Sequence, residues 1–147
     1  MNKVYRQKPL APDEYLGHVG FDGKVHESRF GPDKYVGRVE LDTGKIFEAR
    51  LGPDNYVGSI TLDSGKVYRH KPMAVDEYLG RVDSDGKFYR HRVGPDEYIG
   101  KIEGAHAYTL GGAAFMLLVW PLVEEEMARV KKEKEEKEAS RDEKKRE

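Results

Sequence analysis

A tripeptide, Tyr-[Val/Leu/Ile]-Gly, recurs at Tyr15, Tyr35, Tyr56, Tyr78 and Tyr98, at spacings of 20, 21, 22 and 20 residues. A period this short holds one small supersecondary unit, which cannot bury its own apolar face, so the copies must pack on one another. Each copy is punctuated twice. An Asp lies two residues before each Tyr (Asp13, Asp33, Asp54, Asp76, Asp96), after Pro12, Pro32, Pro53 and Pro95 in four copies and after Val75 in the other. Pro pre-sets φ for a turn and Asp can accept from the backbone just beyond it, which predicts a connecting turn. Further on, Asp22-Gly23, Asp42-Thr43-Gly44, Asp63-Ser64-Gly65 and Asp85-Gly86 supply a tighter reversal of the kind that joins two antiparallel strands. Between these turns the residues are β-branched or aromatic, as with Tyr35, Val36, Val39, Ile46 and Phe47 around Asp42-Thr43-Gly44. Each unit therefore predicts a β-hairpin.

The ends of the array decide its topology. Second strands open with Lys24, Lys45, Lys66 and Lys87, and one further step of 21 residues back reaches Lys3. Lys3-Val4-Tyr5-Arg6 is thus a second strand with no first strand before it, while Tyr98-Ile99-Gly100-Lys101-Ile102 is a first strand with no second strand after it. Pairing the two orphans completes a fifth hairpin and removes a strand edge that would template aggregation. Residues 6–17 nearly repeat residues 69–80, so the first residues belong to the array. The expected fold is an all-β repeat ring of five β-hairpins, closed by pairing of the N- and C-terminal strands, plus a C-terminal α-helix.

Alternation predicts which side chains share a face. Tyr35, Gly37 and Val39 fall on one side and Val36 and Arg38 on the other. Gly17, Gly37, Gly58, Gly80 and Gly100 leave room for a neighbouring backbone or ring to come close. Leu10, Phe30, Leu51, Met73 and Val93 form a further apolar set just before the connecting turns.

On these residues the chain resembles the β-flower family of bacterial β-hairpin-repeat proteins. The shared pattern is Tyr-[Val/Leu/Ile]-Gly-Arg-Val-x-x-Asp-x-Gly-Lys-Val-Tyr, followed by Gly111-Gly112-Ala113-Ala114 and a Leu-rich run, and it spans roughly residues 1–120. The resemblance implies a hairpin-repeat ring with no assigned activity. Members of that family are four-fold, and the five repeats here depart from them. MORN repeats share Tyr-x-Gly but carry a later Gly-x-Gly that this sequence lacks.

Beyond Glu103 the composition changes. No formally charged residue lies between Gly104 and Val123, and Ala113 to Trp120 is strongly apolar, which predicts a helix from Ala105 with a kink or stop near Pro121. Residues 124–147 are rich in Lys and Glu, with a short stripe of Val123, Met127 and Val130 and i,i+4 pairs such as Glu133/Lys137. The expected organisation is a ring over 1–104, an apolar helix over 105–123 packing on it, and a charged helical tail over 124–147. A membrane span needs about 20 mainly apolar residues. Gly104, His106, Thr109, Gly111, Gly112 and Pro121 dilute this stretch, which favours a helix covering one face of the ring.

The candidate chemistry is sparse. With 26 basic and 27 acidic side chains the balance gives no reason to expect a nucleic-acid partner, and the lack of cysteine removes thiol chemistry and disulfides. Met1-Asn2-Lys3-Val4-Tyr5-Arg6 has no apolar core of a signal peptide, so a cytoplasmic location is expected, with membrane association as the alternative. Tyr5, His26, Phe47, Tyr68 and Tyr89 share one register and could stack on sugars or bases, or pack hairpin on hairpin. Lys3, Lys24, Lys45, Lys66 and Lys87 would ring the array and could attract an anion, or simply keep strand edges soluble. The five Asp residues suit turns better than catalysis. His70 and His91 are equivalent in successive repeats, but Gln7, Ser28 and Ala49 fill the matching places and no third ligand recurs, so no metal or other cofactor is expected. No nucleophile triad, phosphate loop or dinucleotide fingerprint is present, and the chain is not expected to be an enzyme. The expected function is a non-catalytic structural or interaction module, binding a protein partner or itself through the C-terminal helix. The alternatives are a multivalent, lectin-like ring and a cytoplasmic head on a membrane anchor.

Overall fold

The computed structural model describes residues 2–104, 110 and 120–146, with 121–124 and 126 described by backbone alone. Ten strands follow the repeat: β1 (Asn2–Arg6), β2 (Glu14–Val19), β3 (Lys24–Glu27), β4 (Lys34–Val39), β5 (Lys45–Glu48), β6 (Asn55–Ile60), β7 (Lys66–Arg69), β8 (Glu77–Val82), β9 (Lys87–Arg90) and β10 (Glu97–Glu103), before a helix, α1 (Trp120–Arg146). Every pairing is antiparallel between chain neighbours except one. β1 pairs with β10, Lys3 opposite Glu103 and Val4 opposite Ile102, and so closes a barrel.

The interior is built from one cross-strand pair per hairpin: Val19 with Val25, Val39 with Ile46, Ile60 with Val67, Val82 with Phe88, and Ile102 with Val4 across the closure. These residues are all buried and form one cluster. At about 1.5–3 kcal/mol per fully buried aliphatic or aromatic side chain, they are the main reason that short strands hold together as a ring. On the other side of each second strand the same residue meets a glycine, as with Val67 opposite Gly80 and Phe88 opposite Gly100. The space there is taken by backbone. A Cβ on Gly80 would lie 2.0 Å from the Tyr89 carbonyl oxygen.

The simple alternation fails at one place in every repeat. Register shifts fall between Val4 and Tyr5, Val25 and His26, Ile46 and Phe47, Val67 and Tyr68, and Tyr98 and Gly100. An extra residue in the first strand turns the chain there. Tyr35 accordingly faces outward beside His26, while Val36 packs against the core with Gly37 and Val39, instead of on the opposite face.

The barrel has two unlike ends. At the turn end the hairpin reversals interlock with the next hairpin: Gly23, Gly44, Gly65 and Gly86 each accept a hydrogen bond through their carbonyl from Val39, Ile60, Val82 and Ile102 respectively, at 2.7–2.9 Å. At the loop end the longer connections, residues 7–13, 28–33, 49–54, 70–76 and 91–96, each start on a backbone hydrogen bond to a first strand, such as Ser28 N–H to the Leu16 carbonyl, and expose their middles to solvent.

The apolar helix expected over 105–123 falls mostly outside the described residues. Its described members Leu110 and Trp120 are buried in the same cluster as the strand residues. Gly104 follows β10 at the turn end, whereas Trp120 sits against Phe88 at 5.6 Å and beneath the Arg90 guanidinium at 5.7 Å, toward the loop end. α1 starts at Trp120, beside Pro121, so the boundary expected between 123 and 124 lies inside it; the residues just before Trp120, where a stop would show, lie outside the described ones. Proline in the first turn of a helix has no N–H bond to forfeit. Residues 127–146 are exposed throughout, including Met127 and Val130 of the expected stripe.

Candidate functional site

Polar and aromatic side chains gather in two places, the outer wall and the loop-end mouth. On the wall, each boundary between hairpins repeats one arrangement. The second-strand ring of one hairpin leans on the first-strand Tyr of the next: Tyr5 on Tyr15, His26 on Tyr35, Phe47 on Tyr56, Tyr68 on Tyr78 and Tyr89 on Tyr98, all at 5.6–5.7 Å. A cation covers the ring from the other side in three of them, Arg38 over Phe47 at 4.2 Å, Arg81 over Tyr89 at 5.0 Å and Lys101 over Tyr5 at 5.8 Å. In a fourth, His18 stacks on His26 at 4.9 Å.

The turn Asp residues complete these units. Asp33 meets His18 at 2.9 Å, Asp54 meets Arg38 at 3.1 Å, Asp96 meets Arg81 at 3.8 Å, and Asp13 meets Lys101 at 3.8 Å across the closure. Ser59 holds the cation's place at the remaining boundary, and there Asp76 turns to His70 at 3.1 Å. The carboxylates therefore tie neighbouring hairpins together. Capping of the local backbone falls to other residues, with Asp22 accepting from Lys24 N–H and Thr43 from Lys45 N–H.

At the first boundary the Tyr15 hydroxyl donates to Asp33 at 3.2 Å. Burial, then the Asp33 charge and this hydrogen bond, push the Tyr15 pKa up to about 12. Burial raises Tyr78 and Tyr98 in the same direction, with Asp96 and Asp13 adding to it.

The histidines do not converge. His70 lies against Tyr56 at 4.4 Å and His91 against Tyr78 at 5.1 Å, each at its own boundary. No group of three metal-ligating side chains occurs among the described residues. Lys3, Lys24, Lys45, Lys66 and Lys87 are exposed on the outer wall, where Lys24 faces Arg38, Lys66 faces Arg81 and Lys87 faces Lys101. Side chains on the outside of a barrel diverge, so these five cannot close on one anion.

The mouth carries residues that the repeat pattern does not single out. Arg6, Glu27, Glu48, Arg69 and Arg90 end the second strands opposite Gly100, Gly17, Gly37, Gly58 and Gly80, in register with the inward-facing core. A cavity of about 350 Å³ opens there, lined by Glu48, Tyr56, Arg69, His70 and Pro72 from the ring and by Trp120 and Glu125 from α1. Mixed charge between two aromatic rings can hold a small planar or zwitterionic molecule. The available signal in the sequence is that the last residue of every second strand is charged although its register points inward.

No helix among the described residues is long and apolar enough to cross a membrane. Compared with family models, with curated proteins and with solved structures, the chain matches none.

Proposed function

We propose that the protein is a non-catalytic interaction module, a closed ring that serves as a base for a projecting charged helix. The observation that supports this most is the use of the recurrent carboxylates. Each is spent on a neighbouring hairpin's cation or histidine, which is what a load-sharing wall needs and leaves little free for acid-base work. From this base α1 extends about 40 Å, taking 1.5 Å per residue over its 27 residues. Lys144, Lys145 and Arg146 in its last turn complement the helix dipole. The β-flower resemblance is consistent with this reading, and the cysteine-free sequence with a cytoplasmic setting.

The test is capture of partner proteins from an extract of the native host by the full chain, beside a K131E/K132E/K134E variant. The swap should abolish specific capture without altering the melting temperature. Equal capture by both proteins would sink the assignment of partner binding to α1.

The mouth cavity favours a second reading, ligand binding at one site per ring instead of five pockets. Trp120 is the single tryptophan and borders the cavity, so its fluorescence reports occupancy during titration with sugars and small anions.

A further inference from the structure

The apolar set that precedes the connecting turns has no place in the core. Leu10, Phe30, Leu51, Met73 and Val93 are 104–111% exposed, more open than in an extended peptide. One such residue is ordinary on a protein surface, but the same choice at all five equivalent positions is a patterned patch. Two different backbone solutions reach it. In three loops the apolar residue precedes a left-handed glycine (Gly31, Gly52, Gly94), while in the other two Leu10 and Met73 themselves adopt φ of 57° and 62°. Bulky side chains rarely occupy that region. Both loop types nevertheless end in an exposed apolar side chain.

Each tip also carries a base, Lys8, Arg29, Arg50, Lys71 or Arg92, within two residues of the apolar side chain. These bases pair with Glu14, Glu27, Glu48, Glu77 and Glu97, but the bases stay about half exposed, so the pairs are weak and can be exchanged for another anion. The loop Asp residues turn away to the wall. In the chain the charge nearest each apolar tip is the base, one or two residues away, while the loop Asp and the pairing Glu, themselves partly exposed, lie three or four away. Equivalent positions around a closed ring lie in one plane, and a plane of apolar tips flanked by bases matches the boundary between headgroups and acyl chains.

We propose that the loop end of the ring docks on the surface of an anionic phospholipid bilayer. The five apolar tips enter the headgroup boundary and the five bases meet lipid phosphates. A second copy fits this end less well, because two facing crowns would bring like charges together. This goes beyond the interaction-module reading and does not depend on it.

Co-sedimentation of the full chain with phosphatidylcholine vesicles containing about 30% phosphatidylserine, beside pure phosphatidylcholine vesicles, tests the proposal. Binding should favour the anionic vesicles and weaken as salt rises from about 0.1 to 0.5 M. The L10S/F30S/L51S/M73S/V93S variant should lose binding by about tenfold or more at an unchanged melting temperature. If that variant does not fold, F30S/L51S on the same vesicles is read instead, and a loss of binding is again expected. Equal binding to neutral and anionic vesicles would overturn the proposal. So would serine variants that bind as the parent does, since another segment would then be responsible. A full chain that dimerises, and becomes monomeric on serine substitution with no vesicle binding, would assign the crown to a second copy. Vesicle binding and partner capture by α1 are separate measurements, so either reading can fail alone.

Discussion

Glycine with positive φ occurs at both ends of the ring, and the two ends use it for different reasons. Gly44 at the turn end (φ 77°) is buried, and a Cβ there would lie 2.0 Å from the Ile60 carbonyl oxygen. Gly52 at the loop end (φ 88°) is exposed, with nothing within 4 Å of the same added atom. One glycine is needed for conformation and for space, the other for conformation alone. The turn end is thus a packed joint, while the loop end is a presented surface whose shape is set locally. A single repeat unit satisfies stability at one pole and leaves the other free to vary.

The strongest way to break this contrast is to remove the strand that both ends share. Deleting residues 1–8 takes away β1, buried Val4 and the pairing with both β2 and β10, and should abolish the cooperative thermal transition followed by circular dichroism. A truncated protein that melts within about 2 °C of the intact one would contradict closure as the source of stability. Next, Gly44→Ala should cost about 3 kcal/mol or more, since backbone atoms at an inter-hairpin hydrogen bond must move as well as the residue entering a left-handed conformation. Chemical denaturation measures it directly.

A smaller effect tests whether the loop Asp residues belong to the wall. The Tyr15 pKa is raised to about 12 in the fold from 10.0, so its contribution is complete below about pH 10 and is lost as pH rises through 12. In an ultraviolet titration Tyr15 should ionise late, with Tyr78 and Tyr98 also above the ordinary value, and Asp33→Asn should lower Tyr15 by the share that the Asp33 charge and hydrogen bond supply, leaving that of burial, and lessen the alkaline loss of stability. Gly52→Ala should cost only about 1 kcal/mol, because Leu10 and Met73 show that these loops admit a side chain at positive φ. Leu51→Ser should change stability by less than about 0.5 kcal/mol, as its side chain touches solvent alone.

The hairpins, their turns and the closing pair were legible because they depend on local signals, turn chemistry and short-range alternation. The orphan strands at Lys3 and Tyr98 carried the topology. The bulges were not legible. Leu16, Val36, Val57 and Ile99 look like alternating strand residues, yet they pack inward because an extra residue shifts the register beside them. Nor could a string of residues show that Asp33 reaches His18, 15 positions back, since that contact exists only once neighbouring hairpins are side by side. The wall unit has a trace in hindsight, the Ser59 exception matched by His70. The mouth has less of one, because Trp120 comes from outside the repeats.

The closing pair also orders events in time. Four hairpins join strands made within a few residues of each other, but Lys3, which meets His18 on one side early, must wait for Glu103 before its other side is paired. Loops this long close slowly, and until they do both β1 and the growing end of the sheet carry unsatisfied edges. Synthesis therefore passes through an open arc of hairpins, and the transition to a ring is a single late step. A circular permutant beginning within the 49–54 loop, with residue 104 joined back to residue 2, would make the β1–β10 pair local and pass the late closure to β5 and β6, and its refolding rate relative to the parent would test whether closure itself or this particular strand pair sets the barrier.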